Sequence, residues 1–144
     1  TLAESRVQLH LRGDVLFVLG PDSQLELSAP GRGARERVLR LRLGFFRLLA
    51  PVPAGEARLL VMTSTAVTAV RGTEVLGEVD KENTSIAVVR GEAEVRGTAN
   101  GGTVLLRAGQ GTDVAAGQDP TEPVLWQKER LERLRAMTAV KLFW

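Results

Sequence analysis

Side chains able to do covalent chemistry are scarce in this chain. Its 144 residues include one histidine, no cysteine and no tyrosine. Without cysteine there is no disulfide, no thiol nucleophile and no zinc site with Cys ligands. His10 stands beside Gln8 and Arg12 on the polar side of an alternating segment and reads as solvated surface. A nucleophile–base pair would have to come from Ser with Lys or acids, and neither G-x-S-x-G nor a phosphate loop occurs. Glu92 and Glu94 share one strand face, as a paired-carboxylate acid/base site would. Arg96 follows on the same face, so the three read better as a charge-patterned exposed surface. Asp113 and Asp119 lack the ligand spacing of a calcium loop. Asn83-Thr84-Ser85 is a formal glycosylation triplet. No catalytic residue, metal site or cofactor is expected; the chain reads as a binding module and not as an enzyme.

Residues suited to recognition are easier to find. In Arg71-Gly72-Thr73, the arginine offers a five-donor fork, the glycine a bend and the threonine a hydroxyl for backbone groups. A tight corner inside the fold needs the same three, so architecture is the first reading and a partner-binding turn the second. Glu74, Asp80 and Glu92 are candidate partners for the arginine. A basic loop at 30–37 carries Arg32, Arg35 and Arg37, and Arg40 and Arg42 follow. It is a solvated loop by default, or a surface for an acidic partner. Leu131, Leu134 and Trp144 are the apolar candidates for a partner surface near the end of the chain.

Bulk composition narrows the classes further. Net charge is +2, apolar residues make up 44% and aromatics 4%. The pI near 9.7 comes with so small an excess of positive charge that nucleic-acid binding is not indicated. Aromatic residues are not interleaved with basic ones, so a stacking platform for bases is not expected. No stretch of 18 apolar residues exists, hence no membrane insertion is expected within the chain. The chain opens on Thr1 and is expected to belong to a longer protein, so the lack of a targeting segment says nothing about the full-length one.

The elements that would position these residues are strands. Period-two alternation broken by glycine dominates residues 5–115, as in Val7, Leu9 and Leu11, or Leu39, Leu41 and Leu43. Gly13, Gly44, Gly72, Gly91 and Gly109 punctuate it, the last three 18–19 residues apart. Gly-marked short strands at near-even spacing predict an all-β fold, either a short solenoid or coil-like stack or a β-sandwich, between which the pattern does not choose. Asp119-Pro120-Thr121-Glu122-Pro123 ends the β part, and 124–138 reads as a C-terminal α-helix capped by Thr121. Glu129–Arg133 and Glu132–Arg135 are its expected side-chain pairs. The division is thus 1–118 for the β domain and 119–144 for the helix and tail. The helix is expected to pack back on an open end of the sheet, hiding strand edges.

Residues 59–115 resemble the FecR family. The resemblance is carried by Thr63-Ser64-Thr65-Ala66-Val67, Val70-Arg71-Gly72-Thr73-Glu74, Val88-Val89-Arg90-Gly91-Glu92-Ala93-Glu94-Val95 and Ala108-Gly109-Gln110. The family pattern reads roughly TPxAxxxVRGTxF, VxxGxVxV and xxAGQ. Ser64 stands where the family usually has Pro, and Val75 where an aromatic is common. Residues 5–49 look like the family's first half. The resemblance implies a periplasmic or otherwise extracytoplasmic β domain of solenoid-like form, which puts the short solenoid first and the β-sandwich second, and whose partner is a protein of the cell envelope. In iron-uptake signalling, such domains belong to anti-sigma regulators that relay a signal to an extracytoplasmic-function sigma factor. Others are stand-alone exported proteins, so the alternative is a structural or scaffold module of the envelope, or a glycan-associated one. A partner strand adding to an exposed sheet edge is the recognition mode expected.

Overall fold

In a computed structural model, residues 7–11, 15–20, 23–28, 36–49 and 58–138 are described. The first half of the chain supplies β1 (Val7–Leu11), β2 (Val15–Leu19), β3 (Gln24–Ser28), β4 (Glu36–Leu49) and β5 (Arg58–Met62). They are followed by β6 (Ala66–Val79), β7 (Asn83–Gly97), β8 (Thr103–Arg107), β9 (Gln110–Ala115) and β10 (Val124–Leu125). A helix, α1 (Lys128–Met137), closes the described chain.

The long strands β4, β6 and β7 organise the molecule, because each changes neighbours halfway along. Residues 44–49 of β4 pair with β2 and with 74–79 of β6, while its first half pairs with β3 and β5. The first half of β7 pairs with 74–79 of β6 and with β9, its second half with 66–71 of β6 and with β8. One continuous sheet is therefore folded into two layers. The first holds β1, β2, the halves just named, β9 and β10; the second holds β3, β5, β8 and the remaining halves.

Side-chain parity shows how the fold-over works. Along β4 the buried positions are Leu39 and Leu41, then Phe46 and Leu48. Along β7 the positions facing the shared interior run Thr84, Ile86 and Val88, then Ala93 and Val95, while buried Ala87 faces α1. Inward positions switch between even and odd at the bend, because an extra residue flips every side chain beyond it. In the β6–β7 ladder, the register shifts between Arg71↔Glu92, Glu74↔Arg90 and Val75↔Val88. Gly44 makes the bend in β4 with φ +119, where a Cβ would collide with the Ser23 side chain. Ser23 Oγ accepts the Phe45 N–H at 3.2 Å, satisfying the backbone that the bend frees.

Inward side chains of both layers form one cluster, with Phe17 and Phe46 stacked 5.6 Å apart at its centre. The mainly β character and the C-terminal helix agree with the sequence. A coil stack would pair its successive turns in parallel, and among the described residues only β4–β5 does so. Of the glycines read as a repeat, Gly44, Gly72 and Gly91 lie at bends in long strands and Gly109 in the turn before β9, while Gly13 is outside the described residues.

Two expectations about the helix change. It starts at Lys128 with Gln127 as N-cap, since Val124 and Leu125 pair with Gly111 and Gln110 of β9. Thr121, the expected cap, instead accepts the Asp113 N–H at 3.0 Å through its hydroxyl. And α1 covers the outer face of the first layer, not a strand edge: Leu134 packs with Leu76, Ala87 and Trp126, flanked by Phe45, Val89 and Leu131.

Candidate interaction surfaces

The glycine-centred turn of the sequence lies inside β6, at the bulge opposite Gly91 (φ 87). The backbone of Arg71, Gly72 and Thr73 thus forms part of the fold-over; their side chains are outside the described residues. Next to them, the Glu74 carboxylate is buried between two arginines. Its oxygens lie 2.9 Å from Arg47 on β4 and 3.5 Å from Arg90 on β7. Its side chain is 6% exposed, against 21% for Arg47 and 76% for Arg90. An anion so placed ties three strands together where the sheet bends, and Arg90 carries the network to the surface.

Thr63-Ser64-Thr65, the start of the resembling stretch, forms the β5–β6 turn. Thr63 Oγ1 accepts the Ala66 N–H at 3.1 Å and lies 2.6 Å from the Thr84 hydroxyl. Thr65 Oγ1 donates to the same Thr84 oxygen at 2.7 Å. The backbone carbonyls of Ser64 and Thr65 are taken by the hydroxyl and the N–H of Thr98. This turn is therefore joined to β7 by buried hydroxyls, whose pairing offsets their desolvation, and to the turn after β7 by exposed Thr98.

Helix α1 is held by two arginines three residues apart, hence on one face. Arg130 donates to Asp113 Oδ1 at 2.7 Å and to Ser85 Oγ at 3.3 Å, and Ser85 donates to the same carboxylate oxygen at 2.5 Å. Its guanidinium lies 3.6 Å over the Trp126 ring. Arg133, expected to pair with Glu129, donates to Glu78 on β6 at 3.1 Å. Trp126 is the anchor that sequence reasoning missed. Its indole packs closely on Gly111, leaving no room for a Cβ there. The one available signal was the Trp126–Arg130 spacing of four, which suits stacking only if helix or near-helix geometry begins at the tryptophan.

Of the remaining candidates, Arg32, Arg35 and Trp144 lie outside the described residues. Arg37 is on β4, but its side chain is outside them too. Leu134 is 1% exposed beneath the helix, and Leu131 is half-buried beside it. Both leucines therefore serve the packing of α1, and Leu134 is accessible to a partner only if the helix lifts. The exposed large apolar residues are Leu105 on β8 and Val124 and Leu125 on β10, both strands at sheet edges among the described residues. No group of three or more His, Cys, Asp or Glu side chains capable of holding a metal occurs among the described residues.

Comparison with known proteins gives a consistent picture. The family model described as FecR protein matches residues 1–94. Two crystal structures of a "putative anti-sigma factor from Parabacteroides distasonis ATCC 8503", at 1.65 Å and 2.50 Å resolution, share the fold. Each has a TM-score of 0.73 at 14% identity, over 92% of this chain and 61% of the other. This chain thus spans about three-fifths of the length of those structures. A search of the curated proteins finds no match.

Proposed function

The chain belongs to the FecR protein family, and on that premise we propose that it is the sensing and protein-binding part of an extracytoplasmic regulator. The family match over residues 1–94 carries this reading. The fold shared with the two Parabacteroides structures supports it. In this reading, recognition is non-covalent and the partner is a protein of the cell envelope. Relay to an extracytoplasmic-function sigma factor would need parts of a protein beyond these 144 residues. The β part, 1–118, supplies the recognition surface, and 119–144 modulates it through the docking of α1.

The test is capture from envelope extract with the full chain as bait, beside Arg71→Ala and an unrelated β protein of equal net charge. Circular dichroism first establishes that the bait and the variant are folded. Saturable capture of an envelope protein by the chain, and not by the control, is the expected result; weakening by folded Arg71→Ala would in addition assign the β6 bulge to the interface. Capture unchanged by Arg71→Ala leaves the module reading standing and makes the bulge architecture. If the folded chain captures nothing beyond the control, the binding reading falls and a scaffold of the envelope takes its place.

A further inference from the structure

Among the described residues nothing covers the outer face of the second layer as α1 covers the first, and that face contains a groove of about 550 Å³. Arg40 and Arg42 of β4 line it, with Glu26 of β3, Met62 at the end of β5, Ser64 of the β5–β6 turn and Lys81 from the β6–β7 turn. The groove exists because β5 stops at Met62 while β4 bends away at Gly44. Ser64 Oγ donates to the Lys81 carbonyl at 3.4 Å, which fixes the two turns that form its far wall.

Charge in the groove is unbalanced. Arg42 reaches Glu26 at 3.3 Å, and both side chains are mostly exposed. Exposed pairs of this kind contribute about 0–1 kcal/mol and exchange partners readily. Arg40 stands opposite Glu26 in the β3–β4 register, yet neither it nor Lys81 forms an ion pair among the described residues. Three cations thus face one carboxylate across a floor that includes half-buried Met62.

Spacing then selects the ligand. Arg40 and Arg42 are two residues apart on one strand face, hence about 7 Å apart along the strand. An extended peptide has the same repeat between alternate side chains. A compact anion such as phosphate favours donors converging on one point, often backbone N–H groups. In this groove Arg40 and Arg42 are set apart along one strand. Nucleic acid would want aromatic stacking surfaces, and none lines this groove.

We propose that the groove docks an extended acidic segment of a protein partner, with carboxylates at alternate positions on Arg40 and Arg42, a further one on Lys81, and an apolar side chain on Met62. The proposal rests on the protein-binding reading above and names the chemistry of that partner. Binding is electrostatic at the rim and weakens with salt.

The experiment is a titration of the full chain, followed by amide chemical shifts. The probe is a nine-residue peptide alternating glutamate with threonine and valine; its lysine counterpart and inorganic phosphate are the comparators. Expected are saturable shifts at Arg40, Arg42, Ser64 and Lys81 with the glutamate peptide and none with the lysine peptide. Arg40→Glu with Lys81→Glu should weaken binding at least tenfold while the spectrum stays that of a folded protein. Glu26→Gln, which releases Arg42, should strengthen it several-fold. Shifts outside the groove, an unaffected charge-reversed variant, or phosphate binding as tightly as the peptide would each overturn the proposal. If the peptide fails while the chain still captures an envelope protein, the groove is wrong and the binding-module reading stands.

Discussion

At the scale of single residues, Glu74 is the most consequential polar group described. Its carboxylate is nearly buried, and Arg47 and Arg90 approach it from different strands. Removing one partner of a buried charge pair is costly because the other is left desolvated. Arg47 keeps some access to water, which moderates the penalty. Glu74→Ala is expected to lower unfolding free energy by about 2–3 kcal/mol, read as a shift of the urea midpoint at constant slope. Arg90→Ala should change it by less than about 1 kcal/mol, because an exposed guanidinium recovers its hydration. Equal effects of the two would mean that the network does not centre on Glu74. The sequence made Glu74 a candidate partner for Arg71 by proximity along the chain. Arg47 and Arg90 were out of reach of that reasoning, because only the register of β4 and β7 against β6 brings them there. The hydroxyls of Thr63, Thr65 and Thr84 were equally hidden: as letters they are ordinary strand residues, and their shared contact spans about twenty positions.

At the scale of elements, the bends carry the argument. Glycine spacing was visible in the sequence, and so was alternation on either side of it. What those signals could not decide is whether glycine ends a strand or bends it. Either way the pattern breaks parity, and the difference lies in long-range pairing. Two alanine substitutions separate backbone strain from steric conflict. Gly101→Ala meets nothing within 4 Å at φ +76, so its expected cost is the left-handed penalty alone, about 1–2 kcal/mol. Gly44→Ala adds a collision with Ser23, whose hydroxyl holds the bend, and should cost clearly more, about 3 kcal/mol or above. Thermal unfolding of the two variants side by side checks the order. A reversed order would remove Ser23 from its role at the bend. The helix start shows the same limit of local reading. Thr121, Glu122 and Pro123 have the chemistry of a helix N-terminus, yet pairing of Val124 and Leu125 with β9 delays the helix until Lys128. The helix pattern itself was legible, because it depends on the neighbours in sequence that α1 retains.

Across the whole molecule, the two layers differ in what covers them, and the sequence of β7 records it. Its first half runs Ile86, Ala87, Val88 fully buried, one side facing the shared core and the other facing α1 and Trp126. Its second half alternates, with Ala93 and Val95 inside and Glu92, Glu94 and Arg96 outside. Strands buried on both faces read as continuous apolar runs, and half-buried ones alternate. The helix is thus a third layer over the first and has no counterpart among the described residues over the second, whose outer face there is charged. A chain ending at Gln127 tests this division. It lacks α1, and so uncovers Phe45, Leu76 and Val89 on the first layer. Exposed apolar patches of this kind drive association. The shortened chain is expected to keep its β circular dichroism, bind a hydrophobic dye and self-associate in sedimentation. Leu134→Asp in the full chain should do the same more weakly, since Arg130 and Arg133 still tether the helix. Hydrogen exchange should quicken at amides of 84–89 and 74–79, while those of 92–97 stay protected. Uniform loss of protection would instead make α1 part of a single cooperative core. That outcome would leave the helix no freedom to move without unfolding the domain, and with it no means of modulating a partner at the second layer.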